Sequence, residues 1–167
     1  MTTIITLCTG NAARSVMAGA MLVNAAPALR VITAGTHVID GQPMSWRTRE
    51  ALASLELEAN HHRSAQLRPA DLDDADLVLA MAAEHVRYMH REHPEVADRT
   101  ATLKRLVRDL PAGPEPLGDR LATLALVTHE PAEWEDVADP AGGSDVDYVH
   151  CAREIDRLLA QLLPRLT

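Results

Sequence analysis

The 167-residue chain has almost no aromatic residues: no Phe, two Trp and two Tyr. Its core therefore has to be built from Leu, Val, Ile, Ala and Met, and a site for a flat substrate has few rings to stack on. Cysteine is equally scarce. Cys8 and Cys151 stand far apart, which gives neither a disulfide framework nor a zinc pattern. A surplus of positive charge is also missing. The net charge of −8 at pH 7 argues against a general nucleic-acid or anionic-membrane binder. An anionic group remains open as a ligand, because backbone amides can supply a local field for phosphate. No run approaches the roughly 20 apolar residues that cross a bilayer. The opening Met1-Thr2-Thr3-Ile4-Ile5-Thr6-Leu7 lacks the basic and long apolar regions of a signal peptide. These absences predict a cytoplasmic, reducing location with Cys8 as a free thiol, and neither membrane nor nucleic acid as partner.

What is present fits one globular domain over residues 1–167, with 47% hydrophobic and 24% charged residues. Thr3 to Leu7 is a short β-branched apolar run suited to a buried parallel strand. Val16 to Ala26 reads as a helix stopped by Pro27, and Arg30 to Ala34, closed by Gly35, as a second strand. Ser45 to Leu57 reads as a helix, Arg68 to Asp71 as the start of a helical turn, and Ala75 to Ala80 as a third strand. A helix over Ala82 to Glu92, an edge-like strand over Arg99 to Leu103 and a final helix from Asp145 to Leu163 complete the pattern. Such alternation predicts an α/β fold, a parallel sheet with helices on both faces. The breaker cluster Pro111-Ala112-Gly113-Pro114-Glu115-Pro116, followed by a helix over Leu117 to Thr128, predicts a helical insertion around 111–135 within the single domain.

The chemistry is concentrated in Cys8-Thr9-Gly10-Asn11-Ala12-Ala13-Arg14-Ser15. A strand that runs into this loop puts it at the crevice where open α/β sheets bind ligands. Gly10 and Asn11 tolerate positive φ, which lets successive amides of Thr9 to Ser15 point inward as an anion nest. The helix that follows adds its positive N-terminal end. Arg14 can grip phosphate oxygens with a bidentate fork, and the combined field favours the Cys8 thiolate, the form that attacks phosphorus. Ser15 is placed to donate a hydrogen bond to the sulfur. A nucleophile of this kind needs a proton donor for the leaving group, and Asp139-Pro140, beside the pliant Ala141-Gly142-Gly143, is a candidate as well as an ordinary Asp-Pro turn.

These residues resemble the low-molecular-weight protein tyrosine phosphatase family, whose loop reads Cys-x-Gly-Asn-x-Cys-Arg-Ser. Thr33-Ala34-Gly35-Thr36, Gly41-Gln42-Pro43, His62-Arg63-Ser64, Ala75 to Met81 and Asp139-Pro140 are similar to later family segments, so the resemblance covers most of the chain. It implies a flavodoxin-like, three-layer αβα fold with a four-stranded parallel sheet in the order 2-1-3-4. It also implies a two-step reaction. Cys8 takes the phosphoryl group while Asp139 protonates the leaving group, and water activated by Asp139 then releases inorganic phosphate. Arg14 and the amides of residues 9 to 15 would stabilise the equatorial oxygens, with no metal or cofactor. Asn11 is expected to hold the loop, with a hydrogen bond to Thr36. The implied substrate is a phosphorylated protein, with phosphotyrosine foremost, or a small phosphoester.

Three departures bear on that expectation. Ala13 stands where most members carry a second cysteine, which removes the usual protective partner of the nucleophile and exposes Cys8 to irreversible oxidation. Ala141-Gly142 replaces tyrosines that line the phosphotyrosine slot, and Trp46 either packs on its helix or supplies a ring in their place. Ala12 is neither the Ile of typical tyrosine phosphatases nor the Thr of the protein-arginine phosphatase branch. That branch, an arsenate reductase-like enzyme, and a non-catalytic phosphate-binding regulatory module are the alternatives. His85, His90 and His93 do not share one helical face and read as a solvated helix rather than a metal site. Cys151 reads as core, on a distant helix.

Overall fold

The computed structural model describes residues 1–166. Four parallel strands, β1 (Thr3–Cys8), β2 (Arg30–Gly35), β3 (Leu77–Ala80) and β4 (Thr100–Thr102), lie in the order β2-β1-β3-β4. Around them stand α1 (Arg14–Ala25), α2 (Trp46–Ala53), α3 (Pro69–Leu72), α4 (Ala83–Glu92), α5 (Leu103–Asp109), α6 (Leu117–Ala122) and α7 (Asp145–Leu162).

The strand pleat sorts the core into two layers. Ile4, Leu77 and Leu79 point to one face and pack with Met17, Leu22, Leu103, Ile155 and Leu159 of α1, α5 and α7. Their neighbours Ile5, Leu7 and Val78 point to the other and pack with Leu72 and Met89 of α3 and α4. All six residues of β1 are buried, as both-face coverage requires. The result is the three-layer αβα sandwich.

Several boundaries differ from the sequence expectation. The second helix stops at Ala53 rather than Leu57, because Glu56 turns the chain at φ +58° and the Leu57 amide bonds back to the Leu52 carbonyl. The helix after the proline cluster spans only Leu117–Ala122, and Ala125 lies at φ +51° in the stretch that follows. One helix went unanticipated. In α5, Leu103 and Leu106 face the core, and the Thr102 hydroxyl caps its start by accepting from the Arg105 amide.

Register places the chemistry. Cys8 is paired with Gly35, and Leu7 with Ala80. The residues that leave β1, β2 and β3 therefore emerge side by side at the carboxyl edge of the sheet.

Candidate active site

The loop from Cys8 to Ser15 is held from outside by its carbonyls. Cys8 O accepts from Thr36 N and Thr9 O from His37 N, both at 3.0 Å. Asn11 O accepts from Ser64 Oγ at 2.7 Å and lies 2.8 Å from His62 Nε2, and Ala12 O accepts from Thr48 Oγ1 at 2.8 Å. A trans peptide sets each carbonyl opposite the next amide. Pinning these four carbonyls therefore turns the amides of Thr9, Gly10, Ala12 and Ala13 into the loop, the geometry of an anion nest. The first turn of α1, which has no side-chain cap, adds its own free amides.

Asn11 adopts φ +50°, a conformation its short polar side chain tolerates. Gly10, expected to share it, is not in that region, and open space surrounds the position of a Cβ there. The Asn11 side chain stitches the loop together. Its Nδ2 donates to Ser15 Oγ at 2.8 Å, and its Oδ1 accepts from Ala65 N at 2.9 Å. The expected Asn11–Thr36 bond is therefore replaced. Thr36 supports the loop through its backbone amide, and its hydroxyl lies 3.1 Å from His37 Nδ1.

Cys8 is 3% exposed, with Sγ 3.0 Å from Ser15 Oγ. Arg14 is also 3% exposed. It donates Nη1 to Val137 O at 3.1 Å and sets Nη2 3.3 Å from Asp139 Oδ2. Asp139 thus stands beside the loop despite its distance in sequence. Two bonds bring it there: Val137 N to Met81 O at 2.8 Å, and Ala83 N to Asp136 Oδ1 at 2.7 Å. Asp139 Oδ1 accepts from Ala141 N at 3.0 Å, and a turn closed by Gly143 N and Pro140 O follows. The Asp139 carboxylate remains 51% exposed and open to solvent. Arg14, Ala82, Glu84, Asp136 and Asp139 line one cleft of about 400 Å³.

The histidines are not one solvated set. His85 belongs to the buried face of α4 with Val86 and Met89 and is 1% exposed. Its Nε2 lies 2.9 Å from Thr9 Oγ1, and its Nδ1 is buried with no hydrogen-bond partner among the described residues. Burial first, then the positive charge of Arg14, lowers its pKa to about 3, so it is a neutral ring against the loop. Helical spacing from Met89 was the signal for it. Glu84, which the sequence reading passed over, accepts from the Thr9 hydroxyl at 3.2 Å. His62, whose pKa is lowered by burial, is a loop support. Among the described residues no group of three His, Cys, Asp or Glu side chains could hold a metal ion.

Trp46 is 54% exposed at the start of α2, with the Arg47 guanidinium 4.6 Å from its ring centroid. The helix is docked on the loop through Thr48 and Ala12, so the ring is not a core residue. Cys151 is buried in the same apolar cluster as Cys8 and beside the cleft of Asp139, not remote from the site. Burial pushes its thiol up to about 12.

The chain belongs to the low molecular weight phosphotyrosine protein phosphatase family, whose sequence profile matches residues 3–115. It is 32% identical over 164 residues to a protein-arginine-phosphatase of Geobacillus stearothermophilus, with 98% of this chain and 95% of the relative covered. The solved YwlE arginine phosphatase from that organism superposes with a TM-score of 0.79 at 32% identity, covering 99% of this chain and 93% of the other. A low molecular weight protein tyrosine phosphatase from T. tengcongensis superposes with a TM-score of 0.77 at 30% identity, covering 98% of both chains. Members of this family are cysteine-dependent hydrolases of phosphorylated proteins.

Proposed function

We propose that this chain dephosphorylates protein side chains through a cysteinyl-phosphate at Cys8. The observation that carries the reading is the convergence of Cys8 Sγ, the Arg14 fork and the Asp139 carboxylate, linked by contacts of 3.0 Å to Ser15 and 3.3 Å between Arg14 and Asp139. The Cys8 thiolate attacks phosphorus. An S–P bond forms, the bond to the leaving group breaks, and Asp139 delivers its proton to the departing atom. Water then gives a proton to Asp139 and attacks phosphorus, which returns the thiolate and releases inorganic phosphate. Arg14 and the loop amides of residues 9 to 15 stabilise the equatorial oxygens throughout. The buried Cys151 thiol, held protonated, is a poor relay for arsenate reduction.

Phosphotyrosine is the substrate implied by the family, with Trp46, exposed at the start of the helix that docks on the loop, as the candidate ring of the substrate wall. Protein phosphoarginine is a second reading, favoured by the ringless Ala141-Gly142-Gly143 after Asp139-Pro140 and by the carboxylate of Glu84 at the rim. We further read residues 111–135 as an insertion within the single phosphatase domain that braces the Asp139 loop. There the buried Glu135 carboxylate accepts from Thr102 Oγ1 at 2.7 Å and from Ala132 N at 3.0 Å, and lies 2.8 Å from His129 Nε2. Among the described residues no helix is long and apolar enough to cross a membrane. A reducing, cytoplasmic setting, which keeps Cys8 a thiol, completes the proposal.

Hydrolysis of p-nitrophenyl phosphate by wild type, Cys8→Ser and Asp139→Asn tests it. Cys8→Ser abolishes turnover, and Asp139→Asn slows it by about 10²–10⁴-fold, the usual contribution of a positioned proton donor. Full activity in Cys8→Ser overturns the mechanism. A wild type that binds phosphate but never turns over is a binding module instead.

A further inference from the structure

We infer that Glu84 sorts substrates by the charge of the leaving group and makes the site selective for phosphoarginine over phosphotyrosine. The inference rests on the phosphatase reading above. Glu84 opens α4, and its carboxylate accepts a hydrogen bond from the hydroxyl of Thr9, the residue next to the nucleophile. It lies 3.3 Å from Nε2 of the neutral, buried His85, so two neighbours direct it. It also lines the cleft that holds Arg14 and Asp139. Arg87 lines the same cleft, but its Nη2 is given to Pro131 O at 2.7 Å and its Nε to Glu130.

A carboxylate beside a phosphate cradle is adverse for the phosphoryl dianion itself. It becomes favourable only when the rest of the substrate brings positive charge. Tyrosine leaves as a neutral phenol once Asp139 has protonated its oxygen, and carries partial negative charge on the way. Arginine leaves differently. The P–N bond breaks as the S–P bond forms, the Asp139 proton goes to the departing nitrogen, and the product is a guanidinium cation. The phosphorylated guanidino group is already a cation before the step and is a cation again as product, whereas tyrosine is neutral at both ends. An acceptor-only carboxylate therefore favours the arginine substrate in ground and transition state alike and raises its kcat/KM. The planar fork of a guanidinium also matches a carboxylate in two parallel hydrogen bonds, which a phenol cannot offer.

The test compares kcat/KM for one peptide carrying phosphoarginine and its counterpart carrying phosphotyrosine, in wild type, Glu84→Gln and Glu84→Lys, with inhibition by inorganic phosphate measured alongside. Glu84→Gln lowers the phosphoarginine-to-phosphotyrosine ratio by about tenfold, ~1.4 kcal/mol. Glu84→Lys lowers it further, and phosphate inhibition is retained or tightened in both. An unchanged ratio overturns the inference. So does a parallel loss on both peptides together with weaker phosphate inhibition, because Glu84 then only holds Thr9 in place. A helix-end effect is seen separately, as a change in melting temperature with the ratio intact, and also overturns it. A wild type inactive on both peptides and on p-nitrophenyl phosphate removes the phosphatase reading itself.

Discussion

The Asn11 side-chain amide donates to the same Ser15 hydroxyl, at 2.8 Å, that lies 3.0 Å from Cys8 Sγ. An amide NH₂ has only donors to give, so Ser15 Oγ is the acceptor in that bond and its own proton is free to point at the sulfur. Asn11 thereby sets the direction of a hydrogen bond that stabilises the thiolate, both as nucleophile and as leaving group in the second step. Ser15→Ala is expected to lower kcat on p-nitrophenyl phosphate by about 10–100-fold with little change in KM, the scale of a hydrogen bond to a charged group. Asn11→Asp keeps the shape but replaces the donor with an acceptor, which draws the Ser15 proton away from sulfur. Its kcat loss should match or exceed that of Ser15→Ala, and a stopped-flow burst measurement checks both.

Gly35 supports the loop from behind. A Cβ there would run into the Thr9 carbonyl and the Val38 side chain, and would press on the Asn11 amide. Backbone atoms of the phosphate loop cannot swing aside as a flexible side chain can. Gly35→Ala should destabilise the fold by about 1–3 kcal/mol, as overpacking does, and should weaken competitive inhibition by phosphate. Urea unfolding and inhibition assays read the two effects. Unaltered phosphate affinity would detach Gly35 from the site.

His85 makes stability depend on pH. Its folded pKa of about 3 lies below the ordinary 6.5. Between those values the unfolded chain binds a proton that the folded chain does not, so stability present above pH 6.5 is lost as pH falls toward 3. The limiting slope for one such group is about 1.4 kcal/mol per pH unit. Urea unfolding at pH 7, 6 and 5 should show wild type losing about 1 kcal/mol more than His85→Gln across the last unit. The same ring stays neutral through an assay range of pH 5 to 8, so it should add no inflection to the kcat/KM profile.

The nucleophile, the arginine and their loop were legible because Cys8, Asn11, Arg14 and Ser15 are neighbours in sequence, and a strand, a left-handed turn and a helix start are local events. The strand order followed from family resemblance, and the helices on both faces from the alternation of strand and helix segments along the chain. Through-space contacts were harder to see. The Thr9–Glu84 and Thr9–His85 contacts join the ends of two parallel strands, and nothing near residue 9 announces what lies on α4. Glu56 and Ala125 take positive φ without a Gly or Asn to mark the turn, which is why two helices were drawn too long. The α5 helix was hidden because Leu103 was counted as the end of a strand and the stretch after it is rich in charge. Cys151 lies in the core as the sequence suggested, but closer to the site than its place in sequence implies, since its helix packs against α1 and α2.

Oxidation of Cys8 should be hard to reverse. Hydrogen peroxide converts a thiolate to sulfenic acid, which a neighbouring thiolate can trap as a disulfide before further oxidation. Ala13, in the loop itself, offers no thiol. Cys151 is buried, and its thiol, pushed up to about 12, remains protonated at neutral pH and is a slow nucleophile. Sulfenic Cys8 is therefore expected to proceed to the sulfinic form. Activity lost to peroxide should not return with dithiothreitol, and mass spectrometry should find two added oxygens on the peptide that contains Cys8. Ala13→Cys places a thiol within the loop, and most of the lost activity should then be recoverable. Full recovery in the wild type, with a Cys8–Cys151 disulfide in the peptide map, would show that α7 supplies the resolving thiol after all.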